Sequence, residues 1–437
     1  MTNKMNFDRR PLLFSALNKV WKGSYLLGTE IRLDADDMIR RAKKKTGLTY
    51  LGKDFEIEPL QRLLHSVNYE ANLHAVGRFI TRERFVSLIS IRLRAEYFFK
   101  KYPEILEQPL YPAWIIIGLQ RTGTTKLQRL LAADPDHRVI PSWEVINPVP
   151  LDLDLYPRNQ IADTGSRQPA VERIYPDPRD KRIAMAKMSV NAVRFMSPGF
   201  FAIHPIEYDQ PEEDILMLDV SFMSTTPEAM MNVPSYASWL ETIDQSAAYA
   251  YAARLLKFLQ WIKPAKRWIL KTPHHLEFPD LVGKHFGDVH FLWPHRRIYE
   301  SVPSYLSMLT YNHMIFSDEV DEFRIARHWV RKTGYMLHKA LDYRLRDQNQ
   351  SKFTDIYYKD LITDSMEELK KIYQMKGGLT PALIQSFGEH EREHPHRKYG
   401  THNYSLADFG LTEADIDRHT AHYQQFMAEH YDRAEKG

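Results

Sequence analysis

An apolar run near residue 115 is followed by residue types that bind anions. The run 115–117 ends at Gly118, and Gly123 follows five positions later, directly before two threonines. This order is close to the phosphate-binding loop G-x-x-x-x-G-K-S/T. The lysine of that loop is replaced by Thr124, however, and the cation comes earlier, at Arg121. The spacing therefore predicts a loop that binds an anionic group, with its positive charge in an unusual place.

The chemistry of this loop follows from its backbone and from four side chains. A glycine-flanked turn between a strand and a helix directs several N–H groups at one point, and the helix adds the positive end of its dipole. Thr124 and Thr125 can donate hydroxyl hydrogen bonds, and Arg121 can clamp an oxyanion through its planar guanidinium. Lys126 is a further donor unless it faces solvent. A strand–turn–helix without a ligand is the alternative, but the glycines, the arginine and the paired threonines together argue against it.

A phosphoryl-transferring enzyme with such a loop also needs Mg²⁺, held by a loop hydroxyl and by an aspartate that ends a neighbouring strand. The strand predicted at 289–293 leads to Arg296 and Arg297 and offers no aspartate. The apolar segment 215–218, which ends at Asp219, imitates such a strand only weakly, because it follows an acidic stretch. Without a metal, cations of the protein must neutralise the ligand. Both arginines are expected at the carboxyl edge of the sheet, where ligands of α/β proteins bind.

These segments resemble the sulfotransferase family, and in particular its bacterial branch with an Arg-Ser/Thr-Gly-Thr-Thr loop. The match spans most of the chain beyond residue 112. The resemblance implies a P-loop-like fold and, as sulfuryl donor, 3′-phosphoadenosine 5′-phosphosulfate (PAPS), which leaves as adenosine 3′,5′-bisphosphate (PAP). It also implies that no metal is needed. The spacing of His394, His396 and His402 fits no standard zinc pattern, so no metal is assigned to them.

The resemblance assigns the donor contacts to three segments. The 5′-phosphosulfate loop matches residues 120–125, and the 3′-phosphate motif matches an arginine and a serine eight positions apart. A basic loop near the C-terminus is the least specific match. Ser301 is a weaker alternative for the serine, and Arg297-Ile298 stands where many relatives have Asp-Pro. The implied donor-binding residues are Gln120, Arg121, Thr122, Gly123, Thr124, Thr125, Arg296, Ser304, Arg397 and Lys398.

Catalysis in this family would depend on positioning and on donors aimed at the charge that develops during an in-line transfer. The resemblance implies that Arg121 holds the leaving 5′-phosphate and the sulfuryl oxygens. It also implies that Lys271 reaches the bridging oxygen or the sulfuryl group. This lysine begins the segment 271–276, which resembles the Lys-Ser-Pro-x-His-Leu stretch of the bacterial branch.

The acceptor hydroxyl needs a base, and the resemblance leaves two classes of residue open. Glu144 lies where the tyrosylprotein-type enzymes carry a glutamate base, whereas His274 or His275 matches the histidine of the cytosolic enzymes. The alternative for Glu144 is a helix-capping or ion-paired carboxylate, and the alternative for each histidine is a packing role. We place Glu144 first and His275 second.

The elements that must position these residues follow from hydrophobic periodicity. Strands are predicted at 113–118, 267–271, 289–293 and 353–358, each followed by a helical pattern, which indicates a doubly wound parallel α/β sheet flanked by helices. Helices are predicted from Asp34 to about residue 46 and at 58–78, 81–101, 124–133, 181–197 and 229–262. Residues 1–110 are expected to form a helical N-terminal extension, either for packing or as the arm of a homodimer. Pro109 and Pro112 mark its boundary with an α/β domain at 111–437.

Composition narrows the classes of partner and compartment. The 437 residues carry a net charge of +3, which gives no case for nucleic-acid binding. The sequence has no cysteine, which excludes disulfides, thiolate metal sites and cysteine nucleophiles. No run approaches the roughly 20 apolar residues of a membrane span. Residues 1–10 lack the apolar core of a signal peptide, so a cytoplasmic location is expected.

Residues 145–265 are expected to form a helical acceptor-binding region. Its first part, 145–235, is rich in aromatic residues and methionine, which favours an apolar or aromatic acceptor among small molecules or glycans. The same pattern also occurs in ordinary protein cores. Two rival functions stay open. One is a Mg²⁺-dependent kinase of a small metabolite, and the other is a nucleotide-binding protein without catalysis.

Overall fold

A computed structural model describes residues 11–24, 31–110, 113–154, 180–204, 206–394 and 404–431. The strands in this part of the chain are β1 (Ala113–Ile116), β2 (His137–Arg138), β3 (Arg267–Lys271), β4 (Val289–His295) and β5 (Phe353–Tyr357). They form one parallel sheet in the order β2-β3-β1-β4-β5.

Helices surround the sheet and precede it in the chain. Their bounds are α1 (Leu12–Ser24), α2 (Ala35–Thr46), α3 (Glu58–Tyr69), α4 (Ala75–Lys101), α5 (Thr124–Ala132), α6 (Ser142–Ile146), α7 (Arg182–Met196), α8 (Pro198–Ile203), α9 (Ile215–Leu218), α10 (Thr226–Met230), α11 (Pro234–Leu240), α12 (Ser246–Ile262), α13 (Pro279–Phe286), α14 (Ile298–Phe316), α15 (Glu322–Arg344), α16 (Tyr358–Thr363), α17 (Ser365–Tyr373), α18 (Pro381–Glu393) and α19 (Glu413–His430).

Strand β1 lies at the centre of the sheet. Ile116 is opposite Lys271 of β3 on one side and Leu292 of β4 on the other. Because all strands run in the same direction, their carboxyl ends meet at one edge. The loop after β1, the turn after Lys271 and the turn at Arg296 therefore lie side by side. The predicted P-loop-like α/β class is confirmed.

The structure differs from the predicted helices and strands at three places. No strand is predicted at β2, which is only two residues long and too short to show alternation. The single helix predicted at 229–262 is wrong, because α10 ends at Met230 and α11 begins at Pro234. Proline lacks the N–H that a continuing helix needs, and it favours the first turn of a new one.

The third difference lies in the N-terminal region. The predicted boundary between helices at 78–81 is wrong, because α4 is continuous across it. The helical structure is interrupted earlier, because α3 ends at Tyr69. His74 then caps the start of α4, and its Nδ1 accepts a hydrogen bond from the Gly77 N–H at 2.8 Å. The predicted helix start at Asp34 agrees with the structure, since its carboxylate accepts from the Asp37 N–H at 2.9 Å.

The N-terminal helices pack directly on the α/β part. A Cβ atom at Gly77 would lie 2.2 Å from the carbonyl oxygen of Phe316, so α4 touches the end of α14 backbone to backbone. One hydrophobic core includes buried side chains of α2, α3, α4, α12, α14 and the sheet. The division at residue 110 stays a prediction, and the core is continuous across it. None of the described helices is both long and apolar enough to cross a membrane.

The segment that imitates a metal-binding strand is not a strand. Ile215–Leu218 is one helical turn, α9, and the carboxylate of Asp219 pairs with Arg84 of α4 and accepts from Ser224. Asp219 therefore joins the N-terminal helices to the α/β part instead of ending a strand beside the loop.

Candidate functional site

The loop between β1 and α5 occupies the centre of the carboxyl edge. Arg121 adopts a left-handed backbone conformation with φ of 68°, which is uncommon outside glycine. The Thr122 hydroxyl donates to the Leu119 carbonyl at 2.6 Å, so this side chain is buried and closes the turn from inside. Gln120 and Arg121 are half-buried at its surface. The loop is therefore a fixed turn with Arg121 partly buried at its surface.

Both glycines of the loop are explained by close approach. A Cβ atom at Gly118 would lie 2.8 Å from the carbonyl oxygen of Pro294 in β4. Gly123 has a φ of 89°, and a Cβ atom there would lie 3.0 Å from the ring of Tyr358. The spacing of the two glycines thus lets the loop fit tightly against β4 and α16.

The first turn of α5 faces this loop without a side-chain cap. The N–H groups of this turn and the positive end of the helix dipole therefore suit an anion. Thr124 is buried and Thr125 is exposed. Lys126 lies elsewhere, because its Nζ donates to the Leu361 carbonyl at 2.9 Å and pairs with Glu391 at 3.2 Å.

Two distant segments of the chain meet at Arg121. Its Nε donates to Ser304 Oγ at 3.1 Å, and Nη1 of Arg296 donates to the Arg121 carbonyl at 3.0 Å. The Arg296 guanidinium lies 4.3 Å from the centroid of the Tyr358 ring, and its Nε pairs with Glu300 at 3.1 Å. The loop and the predicted 3′-phosphate motif are therefore one connected structure.

Arg121 and Arg296 bring two like charges together. Burial lowers the pKa of Arg121, and the charge of Arg296 lowers it further, against the opposing effects of Tyr358 and Tyr404. Among the described residues, no carboxylate pairs with Arg121. An anion held between the two guanidiniums would relieve this repulsion.

The serine that meets Arg121 is Ser304. The alternative, Ser301, is buried, and its hydroxyl donates to the Ile298 carbonyl within the first turn of α14 at 3.3 Å. Arg297 is exposed, in contrast to the half-buried Arg296 beside it.

Lys271 ends β3 beside the loop. Its side chain is 2% exposed, and Nζ lies 2.9 Å from Oε1 of Glu213. The same segment fixes the strand end, because the Lys271 N–H donates to Asp214 Oδ1 at 2.8 Å. Thr272 then accepts from the His274 N–H at 3.2 Å and starts the short turn Pro273–Leu276.

The two histidines of this turn are fully buried, and all four ring nitrogens have protein partners. Burial lowers the pKa of His274 well below its usual range, and the neighbouring His275 adds to this, so His274 is neutral. The partners are Asp214 at 2.8 Å and Tyr249 at 2.9 Å for His275, and Thr225 at 3.3 Å and Gln245 at 3.2 Å for His274.

Glu144 forms a buried ion pair. It is 2% exposed, and its two oxygens accept hydrogen bonds from Nη2 of Arg138 at 3.0 and 3.2 Å. Arg138 also donates to the carbonyls of Leu259 and Lys263, and its guanidinium lies 4.6 Å from the centroid of the Trp268 ring. The structure thus places Glu144 in the ion-paired arrangement that was its alternative.

The sequence profile of the sulfotransferase family matches residues 112–378, which is more than half of the chain. That range contains the loop, the turn after Lys271 and the contact of Arg121 with Ser304. The chain belongs to the sulfotransferase family. The predicted family is confirmed, and with it sulfuryl transfer as the class of reaction. Comparison with curated protein sequences gives no match.

Two solved structures are similar to this sulfotransferase. Sulfotransferase STF1 from Mycobacterium tuberculosis H37Rv is 26% identical, with a TM-score of 0.74 over 90% of this chain and 100% of that one. Sulfotransferase STF9 from Mycobacterium avium is 23% identical and shares the fold, with a TM-score of 0.78 over 91% of this chain and 97% of that one. The unmatched tenth is shorter than the N-terminal region, so part of the N-terminal helices also belongs to the shared fold.

Glu144→Gln should lower the free energy of unfolding of this sulfotransferase by about 2 kcal/mol, because it leaves the buried Arg138 cation with neutral acceptors alone. Chemical denaturation measures this. The matched control is Glu58→Gln, which breaks the exposed ion pair with Arg62 at 3.0 Å and should cost less than about 0.5 kcal/mol. Unchanged stability with a large loss of turnover would instead favour Glu144 as the base.

Two polar residues at this edge are missing from the predicted site. Glu213 pairs with Lys271, and His204 follows α8 at the Ile203 carbonyl that accepts from Arg121 at 3.3 Å. Burial lowers the pKa of His204 to about 4, and Lys271 adds to this while Glu213 opposes it. The acidic stretch 212–214 is visible in the sequence, but its pairing with Lys271 depends on the fold. No motif marks His204.

The C-terminal basic loop cannot be placed beside these residues. Arg397 and Lys398 lie outside the described residues, as do His396 and His402. Among the residues that the structure does describe, His338, Asp342 and His422 have donor atoms within 4.8 Å of one another and could hold a cation. These three are exposed on α15 and α19, and they belong to none of the loops at the carboxyl edge.

Proposed function

We propose that this sulfotransferase transfers a sulfuryl group from PAPS to a hydroxyl, or less often an amine, of a small-molecule or glycan acceptor without a metal. The observation that carries the proposal is the contact of Arg121 with Ser304 and Arg296. PAPS bears two separate anions on one ribose, a 5′-phosphosulfate and a 3′-phosphate. A site with two joined cationic parts suits such a ligand better than the single polyphosphate of ATP.

The residues of the loop suit the 5′ side of the donor. The open first turn of α5, Thr124 and Thr125 would bind the 5′-phosphate, and Arg121 would clamp the sulfuryl oxygens. Arg296 and Ser304 would bind the 3′-phosphate. The charge of the ligand would relieve the repulsion between the two arginines, which favours binding of a dianionic group.

The proposed role of Lys271 is to stabilise the leaving group. During transfer, a bond forms between the acceptor oxygen and sulfur, and the bond between sulfur and the 5′-phosphate oxygen breaks. The electron pair stays on that phosphate oxygen. The Lys271 ammonium, at the end of β3 beside the loop, would donate to the developing negative charge. The hydroxyl proton must pass to a base of the protein.

The surroundings of α9 support this reading over a metal-dependent kinase. A kinase of this fold holds Mg²⁺ with an aspartate at a strand end. Asp219, which the sequence offers for that role, lies after a helical turn and pairs with Arg84. Three cations at the edge, Arg121, Arg296 and Lys271, could take over the neutralising role of a metal.

An apolar acceptor is supported by a separate cluster beside the edge. Phe200 and Ile203 of α8 pack with Tyr311 of α14, and the half-buried Met308 and Met314 adjoin them. Met308 lies one helical turn beyond Ser304, and Ile203 immediately precedes His204. An acceptor next to the sulfuryl group would therefore meet apolar and aromatic side chains on this side.

PAP is expected to raise the melting temperature of the wild-type protein, with a stabilisation of about 2.7 kcal/mol at 100 times Kd. Arg296→Ala should raise the Kd for PAP at least ~10-fold, because a charge-assisted contact to phosphate is lost. The matched control is Arg297→Ala, which removes an adjacent exposed cation with the same change in net charge. Thermal shift and titration calorimetry measure both variants.

Three results would contradict the proposed function. The first is a larger stabilisation by ATP with Mg²⁺ than by PAP, which would favour the kinase. The second is loss of sulfuryl transfer on addition of EDTA, which would show that a metal is required. PAP binding without any transfer to phenols or water would identify a nucleotide-binding protein without catalysis.

A further inference from the structure

The three residues that the sequence suggests as base for the acceptor hydroxyl all have their side-chain acceptor atoms engaged in the structure. Glu144 has both oxygens bound to Arg138, and His274 and His275 have both ring nitrogens bound. All three side chains are buried. A base must instead reach the proton of a bound acceptor with an atom that is free to take it.

Glu213 has this freedom. Its side chain is 27% exposed, whereas the side chain of its partner Lys271 is 2% exposed. Oε1 lies 2.9 Å from Lys271 Nζ, and Oε2 is 3.5 Å from the Thr272 hydroxyl, at the limit of a hydrogen bond. One carboxylate oxygen is thus held by a cation, and the other is only weakly engaged in a side chain that is partly exposed.

The backbone on both sides holds Glu213 at the edge. The Glu212 N–H donates to the Ile140 carbonyl at 3.0 Å, next to β2. On the other side, Asp214 accepts from the Lys271 N–H at 2.8 Å. The segment therefore crosses the carboxyl ends of β2 and β3, and Glu213 lies between two anchors. A side chain held in this way can act at a defined position.

The charged and titratable groups around Glu213 belong to several elements, with Lys271 in direct contact and the others gathered around His204. Lys271 comes from β3, Arg121 from the loop after β1, Arg129 from α5 and His204 from the end of α8. The pKa of His204, lowered to about 4 by burial and then by Lys271, responds to Glu213, Arg121 and Arg129 in turn, so these groups surround a common region. The proposed sulfuryl clamp, the leaving-group cation and the Glu213 carboxylate therefore all lie within electrostatic range of His204.

We propose that Glu213 is the catalytic base of this sulfotransferase, with Lys271 as its ion-pair partner and the cation for the leaving group. Glu213 takes the proton of the acceptor hydroxyl while the acceptor oxygen bonds to sulfur. The bond between sulfur and the 5′-phosphate oxygen breaks, and PAP leaves with that electron pair. The protonated Glu213 then returns its proton to water. This assignment rests on the proposed function.

The pairing with Lys271 gives the reaction a charge balance. Before transfer, the ammonium neutralises the carboxylate. During transfer, the carboxylate becomes neutral by taking the proton, and negative charge appears on the leaving phosphate. The same ammonium can then serve the phosphate, so no new charge has to enter the site.

The test compares Glu213→Gln with Glu212→Gln as matched control. Glu212 is the adjacent carboxylate, and its Oε1 accepts from the Glu213 N–H at 2.9 Å, a bond that glutamine retains. Single-turnover transfer from radiolabelled PAPS is measured with phenol, with para-nitrophenol and with water as acceptor. Glu213→Gln should lower the transfer rate to phenol and to water by about 100-fold. The Kd for PAP should stay within a factor of about three.

The acidity of the acceptor separates a base from a structural residue. The loss in Glu213→Gln should be much smaller with para-nitrophenol, because that hydroxyl ionises without help. A residue that only supports the fold would slow all acceptors alike. Equal losses for all acceptors, or no loss, would overturn the assignment, and so would His204→Gln showing the acidity-dependent loss in place of Glu213→Gln. Failure of the wild type to bind PAP or to transfer would instead refute the proposed function.

Discussion

Arg121→Met is expected to reduce kcat/KM for sulfuryl transfer by about 10²–10³-fold, which is the usual cost of losing one donor to the charge of a transition state. The guanidinium has no carboxylate partner among the described residues, and it donates hydrogen bonds to the Ser304 hydroxyl, at 3.1 Å, and to the Ile203 carbonyl, at 3.3 Å. Both of these are neutral groups. Its charge is therefore available to the donor.

The fold should tolerate this change. Burial and the charge of Arg296 lower the pKa of Arg121, which means that the charged side chain destabilises the folded state without ligand. Methionine is also a long side chain, and it removes this unfavourable buried charge. The free energy of unfolding without ligand should therefore stay the same or rise by up to about 1 kcal/mol. A variant that is as stable as the wild type but nearly inactive would separate function from folding.

Arg121→Lys is the matched variant for this prediction. It keeps the charge but loses the fork that reaches Ser304, so its activity should lie between those of the wild type and Arg121→Met. PAP carries no sulfuryl group, so Arg121→Met should weaken PAP binding less than it lowers kcat/KM. Retention of wild-type kcat/KM by Arg121→Met would contradict the role of Arg121 as a clamp.

Local patterns account for the parts of the fold that the sequence predicts well. The four apolar strand runs and the loop glycines have short-range causes, which are burial within the sheet and close approach of the backbone. The break at Pro234 also has a local cause, and the proline could have been used to find it. The two residues of β2 carry no pattern, and they form a strand only because β3 lies beside them.

The hydrogen-bond partners of a side chain are harder to predict from the sequence than the helices and strands. The residue types at 144, 274 and 275 suggest a base, yet whether such an atom is free depends on distant residues. Tyr249 and Asp214, the hydrogen-bond partners of His275, are 26 and 61 positions away from it in the sequence. Glu213 and its partner Lys271 are separated by 58 positions. Resemblance gives the position of a functional residue in the sequence, and only the packed structure shows which of its atoms are engaged.

Lys332→Met is expected to lower the free energy of unfolding by about 3–5 kcal/mol, because it removes the cation from a buried cluster of carboxylates. Lys332 lies on α15 and is 0% exposed. Its Nζ lies 2.9 Å from Glu277, 3.1 Å from Glu241 and 3.5 Å from Glu228. Glu277 directly follows the turn after β3, so this cluster supports the segment that carries the two histidines.

The pH dependence has a defined sign. Burial raises the pKa of Glu277 to about 7 even with Lys332 beside it. A carboxyl group with a raised pKa in the folded state contributes stability at low pH that is lost as the pH rises through that value. For Glu228, burial also raises the pKa, but Lys332 and His328 outweigh it and the net shift is downward. Removal of Lys332 should therefore raise the pKa of both Glu277 and Glu228.

The loss in free energy of unfolding caused by Lys332→Met should therefore be largest above pH 7. It should shrink as the pH falls, since protonated carboxyl groups need no cation. Chemical denaturation at several pH values measures this. The control is Lys339→Met on the exposed face of α15, which should change stability by less than about 0.5 kcal/mol at every pH. Adding Glu277→Gln to Lys332→Met should recover part of the loss, because one buried charge is removed with its missing partner. A deficit that is independent of pH would mean that Lys332 stabilises the protein by packing and not by its charge.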